Sequence, residues 1–278
     1  MDRLHNAWIL CCALLVPLVL SGCASPDPAS PAPERPGALT RIVESGVIRV
    51  GMTGEQPPLT MISRNGDFLG LDVALMRVLA SGMGVEARFV RLDFEKLLDA
   101  LDADEVDVVM SGMTITPRRA ERATFIGPYF TSGKTLLTRS EELAAVEIPQ
   151  DLDKPELRFA ALRGSTSEDF ARRSLSSAQL VLTAGLDQAV QKVVSGEVDG
   201  LVADRETGFF AVLRYPDQGL IASPATFTLE PMGIAVPLDE PQLANLLRTY
   251  FTALAESGAL ERAQAVWFKD PSWVKSLR

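Results

Sequence analysis

Nine consecutive residues, 111–119, reading Ser-Gly-Met-Thr-Ile-Thr-Pro-Arg-Arg, hold the densest set of groups suited to binding a small anion. The apolar run before them, 106–110 (Val-Asp-Val-Val-Met), has the length of a buried strand. After them, Thr116 and Pro117 read as a helix N-cap followed by proline at the first helical position. A strand therefore ends, a small-residue loop follows and a helix begins. Backbone N–H groups at such a junction favour an anion, and Arg119 in the first turn adds a planar guanidinium with several donors. Ser111, Gly112, Thr114 and Arg119 are thus candidates for a carboxylate socket.

Two other stretches belong with this one. Ser165 and Glu168 make a capping-box pattern, which places Ser165, Thr166 and Ser167 around a second helix N-terminus. Residues 105–112 (Glu-Val-Asp-Val-Val-Met-Ser-Gly) are echoed in kind by 197–204 (Glu-Val-Asp-Gly-Leu-Val-Ala-Asp), and Asp204 falls where Gly112 stands. The echo predicts two similar α/β lobes, each offering the carboxyl end of a strand, where open α/β sheets place their ligands.

Composition removes much competing chemistry. The chain has 278 residues, 47% of them hydrophobic, and a net charge of −9, with no basic stripe of the kind nucleic-acid binding needs. Arg3 precedes an apolar run over residues 7–20 that suits a signal-peptide core, and Leu20-Ser21-Gly22-Cys23 resembles the bacterial lipobox. Residues 1–22 therefore read as a cleaved lipoprotein signal peptide and Cys23 as the lipidated, palmitate-bearing mature N-terminus. Residues 23–37 include five prolines among small and polar residues, an extended tether that would hold a domain off a membrane surface. His5, Cys11 and Cys12 lie in the leader, so a Ser-His-Asp triad, a Cys-His pair and a Cys/His zinc site are unavailable to the mature chain. No cofactor, metal site or catalytic residue is expected.

The elements that must position these residues alternate. Strands are predicted at 47–52, 85–92, 106–110, 135–138, 158–162, 179–182, 200–202 and 232–236. Helices are predicted at 71–83, 94–103, from about 167, at 187–195, 207–214, 240–257 and 259–268, with a hairpin-like turn at 64–67. Such alternation implies βαβ crossovers and mainly parallel sheets flanked by helices.

Taken together the residues resemble the bacterial extracellular solute-binding proteins of polar amino-acid ABC importers, family 3, over about residues 41–267. The resemblance rests on Asn65-Gly66-Asp67-Phe68-Leu69-Gly70-Leu71-Asp72, Asp93-Phe94, Ser111 to Thr116 with Arg119, and Pro128-Tyr129-Phe130 with Ser132-Gly133. Arg163-Gly164-Ser165-Thr166-Ser167-Glu168-Asp169, Asp204 and Met232-Gly233-Ile234-Ala235-Val236 complete it. It implies the two-lobe periplasmic-binding-protein fold, type II, with two hinge crossings near residues 129–133 and 228–232. Lobe 1 would be discontinuous, 38–130 plus 231–278, and lobe 2 would span 131–230. It further implies that Arg119 grips a ligand α-carboxylate with Thr114 and Thr166, that Asp204 and the Gly112 carbonyl take the α-ammonium, and that Phe94 packs on the ligand. Gln56 and Thr53 stand where many members carry an aromatic and an acid, and Glu55 is a possible substitute. That departure favours a polar, uncharged or acidic amino acid.

The resulting expectation is a monomeric, non-catalytic binding protein. It would be lipid-anchored to a membrane of the cell envelope, face the periplasm or cell exterior, and hand its ligand to an ABC permease in the inner membrane. Two alternatives stand beside it. One is a periplasmic enzyme resembling cyclohexadienyl dehydratase, with Glu55, Asp204, Glu168, Asp169 or Tyr129 as the acid it would need. The other is a sensory solute receptor acting through a partner chain.

Overall fold

The computed structural model describes residues 36–277; the leader, Cys23 and most of the tether lie outside the described residues. The described chain opens with helix α1 (Ala38–Ser45) and strand β1 (Val47–Met52). Short strands β2 (Glu55–Gln56), β3 (Thr60–Ile62) and β4 (Phe68–Leu69) pair antiparallel as a small separate sheet, and the turn at 64–67 joins β3 to β4 as expected. Then come α2 (Leu71–Met83), β5 (Glu86–Arg91), α3 (Leu97–Asp102), β6 (Val108–Val109) and α4 (Pro117–Ala120). The long strand β7 (Ala123–Ser132) runs on through Gly133 into β8 (Lys134–Thr138). There follow α5 (Glu141–Ala144), β9 (Arg158–Leu162), α6 (Thr166–Ser174), β10 (Gln179–Thr183), α7 (Leu186–Val194), β11 (Gly200–Asp204), α8 (Arg205–Arg214) and β12 (Ile221–Ala222). Strand β13 (Glu230–Pro237) returns to the first sheet, and α9 (Pro241–Glu256) and α10 (Ala259–Phe268) follow it.

Two five-stranded sheets result, ordered β5-β1-β6-β13-β7 and β10-β9-β11-β8-β12. The arrangement is the same in both. In each, three neighbouring strands pair in parallel, the fourth is antiparallel to the third, and the fifth is antiparallel to the fourth. Strands β6 and β11, the partners in the sequence echo, hold the same central place. The chain is an α/β protein of the type II periplasmic-binding-protein fold; the first sheet and its helices, called here the first half, take β13 from late in the chain, and the second half is built on the other sheet. Strands β7 and β13 pair from Ala123–Pro237 to Ser132–Glu230, and it is from their ends that the chain enters and leaves the second sheet.

Residue pattern explains the layers. Leu71, Leu75, Met76 and Leu79 recur at helical spacing on α2 and pack against Ile48, Val50 and Met52 of β1, all at most 4% exposed. Burying each such side chain contributes about 1.5–3 kcal/mol. In the second half, Leu136, Phe159, Phe170 and Val202 form an equivalent cluster. Helix α2 ends where Gly84 adopts φ 71°, which lets its N–H bond back to Ala80 and Ser81.

Several expected elements differ in extent. The strand expected at 106–110 is ladder-paired only at Val108–Val109, although Asp107 N and Met110 N also donate to the β1 carbonyls of Arg49 and Gly51. The helix expected at 94–103 starts as a single 3-10 turn, Phe94–Lys96, before α3. Helix α4 is one turn long, since after Ala120 the chain extends directly into β7. Helix α1 and strand β7 have no counterpart among the expected elements. No helix among the described residues is long and apolar enough to cross a membrane.

Candidate functional site

The cleft between the carboxyl ends of β6 and β11 brings together most of the predicted binding residues. A narrow space of about 10 Å³ there, room for roughly one water molecule, is lined from the first half by Gln56, Phe94, Gly112 and Thr114. From the second half come Ser165, Thr166, Asp204 and a residue that sequence reasoning passed over, Lys134. Ser111 and Arg119 do not line this cavity.

The first-half wall is organised by neutral hydrogen bonds. Gly112 takes φ +55°, and a Cβ there would lie 2.8 Å from Leu59 Cδ1 and 3.3 Å from Gln56 Nε2, so the loop needs glycine for both conformation and space. Its N–H donates to Asp72 Oδ2 at 3.0 Å, and the Tyr129 hydroxyl donates to the same oxygen at 3.0 Å. Asp72 is fully buried and its Oδ1 has no partner; burial pushes its carboxyl up to about 7, opposed by the Gly112 and Tyr129 hydrogen bonds. Burial likewise pushes the Tyr129 phenol up, with the Asp72 charge adding to it. The Ser111 hydroxyl is spent inside the protein: it accepts from Thr53 N at 3.1 Å and donates to Gln56 Oε1 at 3.0 Å. Gln56 is thereby fixed, 4% exposed, with its amide nitrogen towards Gly112.

Thr116 caps α4 as expected, its hydroxyl accepting from Arg119 N at 3.2 Å. The Arg119 guanidinium donates to Thr114 O at 2.8 Å and to Gly164 O at 3.1 Å, joining the two halves through main-chain oxygens. It also lies over Phe94, with Cζ 5.3 Å from the ring centroid. Burial lowers the Arg119 pKa, opposed by Asp169, Glu230 and Asp204. Arg119 borders a wider opening of about 330 Å³, shared with Arg118, Arg122, Glu95, Glu168 and Asp169.

The second-half wall is charged. Ser165 caps α6, accepting from Ser167 N and Glu168 N while donating to Leu162 O at 2.6 Å. Glu168 reaches back to Gly164 N at 2.8 Å, one residue earlier than a simple capping box would place it. The Thr166 hydroxyl meets that of Thr114 across the cleft at 3.3 Å. Asp204 stands at the N-cap position of α8 but makes no cap bond; its Oδ1 lies 2.5 Å from Lys134 Nζ instead. Lys134 is 1% exposed and also approaches Glu230 Oε2 at 3.7 Å. Burial raises the Asp204 pKa, and Lys134 opposes that rise. The sequence held a signal for this group: the run Lys134–Thr138 is buried throughout and begins with a lysine, and β13 begins with Glu230. Charges opening buried strands need partners of opposite sign.

With this geometry in view, similarity to known proteins becomes specific. The sequence profile of the bacterial extracellular solute-binding proteins, family 3, matches residues 48–270, and the chain belongs to that family. It is 27% identical over 231 residues to a cyclohexadienyl dehydratase of Pseudomonas aeruginosa, covering 83% of this chain and 86% of that one. It is 28% identical over 229 residues to an L-arginine-binding protein of the same organism, covering 80% and 87%. Among solved structures it resembles an ancestral amino acid-binding protein described as a precursor of cyclohexadienyl dehydratase, at TM-score 0.75 and 31% identity over 83% of this chain and 99% of that one. A putative ABC-transporter binding component from Wolinella succinogenes complexed with lysine gives TM-score 0.77 and 31% identity, again covering 83% and 99%. Family membership and amino-acid-binding relatives support a solute-binding role outside the cytoplasm.

Proposed function

We propose that this protein is the substrate-binding component of an ABC importer that captures an amino acid, or a similar small zwitterion, and delivers it to an inner-membrane permease. One observation carries the reading: groups from both halves converge on a single cavity, with Thr114 and Thr166 meeting across it and Asp204 exposed to it on one wall. In this reading residues 38–130 with 231–278 form one lobe and 131–230 the other, and contacts made only when they close shift the hinge equilibrium towards the closed form. Asp204 takes the ligand ammonium. Arg119, next to Thr114, takes the carboxylate with the two threonine hydroxyls, exchanging part of its grip on main-chain oxygens for a charge-assisted pair. Gln56, whose oxygen is held by Ser111, offers its N–H groups to the ligand side chain, which favours a polar, uncharged or acidic amino acid. Lipidation at Cys23 would keep the monomer at the membrane beside its permease.

A thermal-shift screen of the lipid-free domain against the twenty common amino acids tests the proposal, because a ligand bound only by the folded state raises the melting temperature. Arg119→Ala is expected to lose the shift. A normal response from that variant would remove the carboxylate assignment.

A second reading, an enzyme resembling cyclohexadienyl dehydratase, draws on the similarity to the Pseudomonas enzyme and on the two buried carboxylates, Asp204 and Glu230, beside Lys134. Rapid loss of prephenate or arogenate on adding the purified protein would favour it over binding alone.

A further inference from the structure

The cluster of Lys134, Asp204 and Glu230 contains more charge than the ligand scheme above uses. The β11–β8 register sets Lys134 directly opposite Asp204, and the β13–β7 register sets Glu230 opposite Ser132, two residues earlier. The three side chains are 1%, 14% and 8% exposed, so water screens them weakly. Within the cluster two carboxylates share one ammonium, and the next positive charge that Asp204 and Glu230 both act on is Arg119. Burial pushes the Glu230 carboxyl up, yet Lys134 and the hydroxyls of Thr228, Thr114 and Thr166 outweigh it and hold the group below the usual range. The Thr228 hydroxyl donates to Glu230 Oε1 at 2.8 Å. Glu230 is therefore a fixed anion within a short reach of the lysine, whereas Asp204 is the one of the two that lines the cavity.

We infer that Glu230 is a specificity-determining residue: it gives Lys134 a second seat, so that a ligand α-ammonium can take Asp204. The inference rests on the amino-acid reading of this cavity. When an ammonium reaches Asp204, Lys134 moves from Oδ1 of Asp204, 2.5 Å away, to Glu230 Oε2, which already lies 3.7 Å away. Each cation then keeps one carboxylate. If Glu230 carried no charge, two cations would compete for Asp204 in a site poor in water, and ammonium-bearing ligands would be disfavoured. A carboxylic acid with hydroxyl in place of the α-ammonium calls for no exchange.

Titration calorimetry on the lipid-free domain tests this with the twenty common amino acids and, for each, its 2-hydroxy acid. Glu230→Gln is expected to weaken amino-acid binding by about tenfold to a hundredfold, the loss of one charge-assisted contact, while hydroxy-acid binding changes by less than about threefold. Glu230→Asp retains the charge and should bind amino acids within about tenfold of the wild type. Adding Lys134→Met to Glu230→Gln removes the competing cation and should restore amino-acid binding, a recovery that a purely structural role would not produce. If Glu230→Gln fails to fold, the double variant carries the test: its preference for amino acids over hydroxy acids must equal or exceed that of the wild type. Equal losses for both ligand classes, or a double variant that does not recover, would overturn the inference. A wild-type chain that binds amino acids with Glu230→Gln unchanged overturns it alone; one that binds nothing in the panel overturns the amino-acid reading as well.

Discussion

The two halves share a strand order, yet the ends of their third strands are stabilised by different physics. Strand β6 runs into a glycine loop whose shape is set by neutral hydrogen bonds and one buried carboxyl, with the Arg119 guanidinium turned towards main-chain oxygens. Strand β11 ends in a carboxylate locked into a buried ionic cluster. A repeated scaffold fixes where a ligand meets the sheet but not how that wall is held. One wall depends on backbone conformation, the other on buried ion pairs, and they should fail differently.

Removing the cation from the second half should cost most. Lys134→Met leaves Asp204 and Glu230 buried without it, an expected loss of about 3–5 kcal/mol in urea unfolding at pH 7. Stability should recover on acidification, as one carboxyl takes a proton; equal losses at pH 5 and pH 7 would contradict the ion-pair account.

In the first half the largest effect should depend on pH. Asp72 titrates at about 7 in the folded protein against an ordinary 3.8, so the folded chain holds a proton that the unfolded chain has released. This contribution is fully present below about pH 4 and is lost as pH rises to about 7, at up to about 1.4 kcal/mol per pH unit. Asp72→Asn keeps the acceptor for Gly112 and Tyr129, and its stability relative to the wild type should grow across that window. A constant difference between the two from pH 4.5 to 8 would remove Asp72 as the source.

Gly112→Ala comes next, with an expected loss of about 1–2 kcal/mol for placing a Cβ at positive φ. Its melting curve should fall without any new dependence on pH. Smallest is Arg119→Ala, whose unliganded stability should stay within about 1 kcal/mol of the wild type because its partners are carbonyls that water can reach once the side chain is gone. A larger drop would mean that the Arg119 bridge between the halves carries stability as the Lys134 cluster does.

Much of this could be read from the residues. The alternation of apolar runs located both parallel sheet portions, and the echo between 105–112 and 197–204 located β6 and β11 at matching places in their sheets. Thr116 and Ser165 were legible as caps because side chain-to-backbone bonds of that kind are local in sequence. Strand β7 was not, since Gly127 and Pro128 interrupt it and its burial pattern follows no simple alternation. Lys134 and Glu230 escaped because their partners are 70 and 96 residues away in the chain, brought close only by strand register. Asp204 illustrates the limit from the other side: it stands at the N-cap position of α8, but a buried ammonium competes for the same oxygens and takes them.

The grip of Arg119 on the carbonyl oxygens of Thr114 and Gly164 has an implication for how such a protein can change. A clasp that holds a main-chain oxygen is indifferent to the side chain at Thr114, whereas Gly164, at φ +71° with Glu95 Cβ 2.9 Å from where a Cβ would stand, must stay glycine for the loop to keep its path. Residues lining the cavity can then be exchanged, by selection or by design, to suit another solute while the fastening between the halves persists. New recognition and retained closure become separable traits, and a lineage could pass between them one substitution at a time.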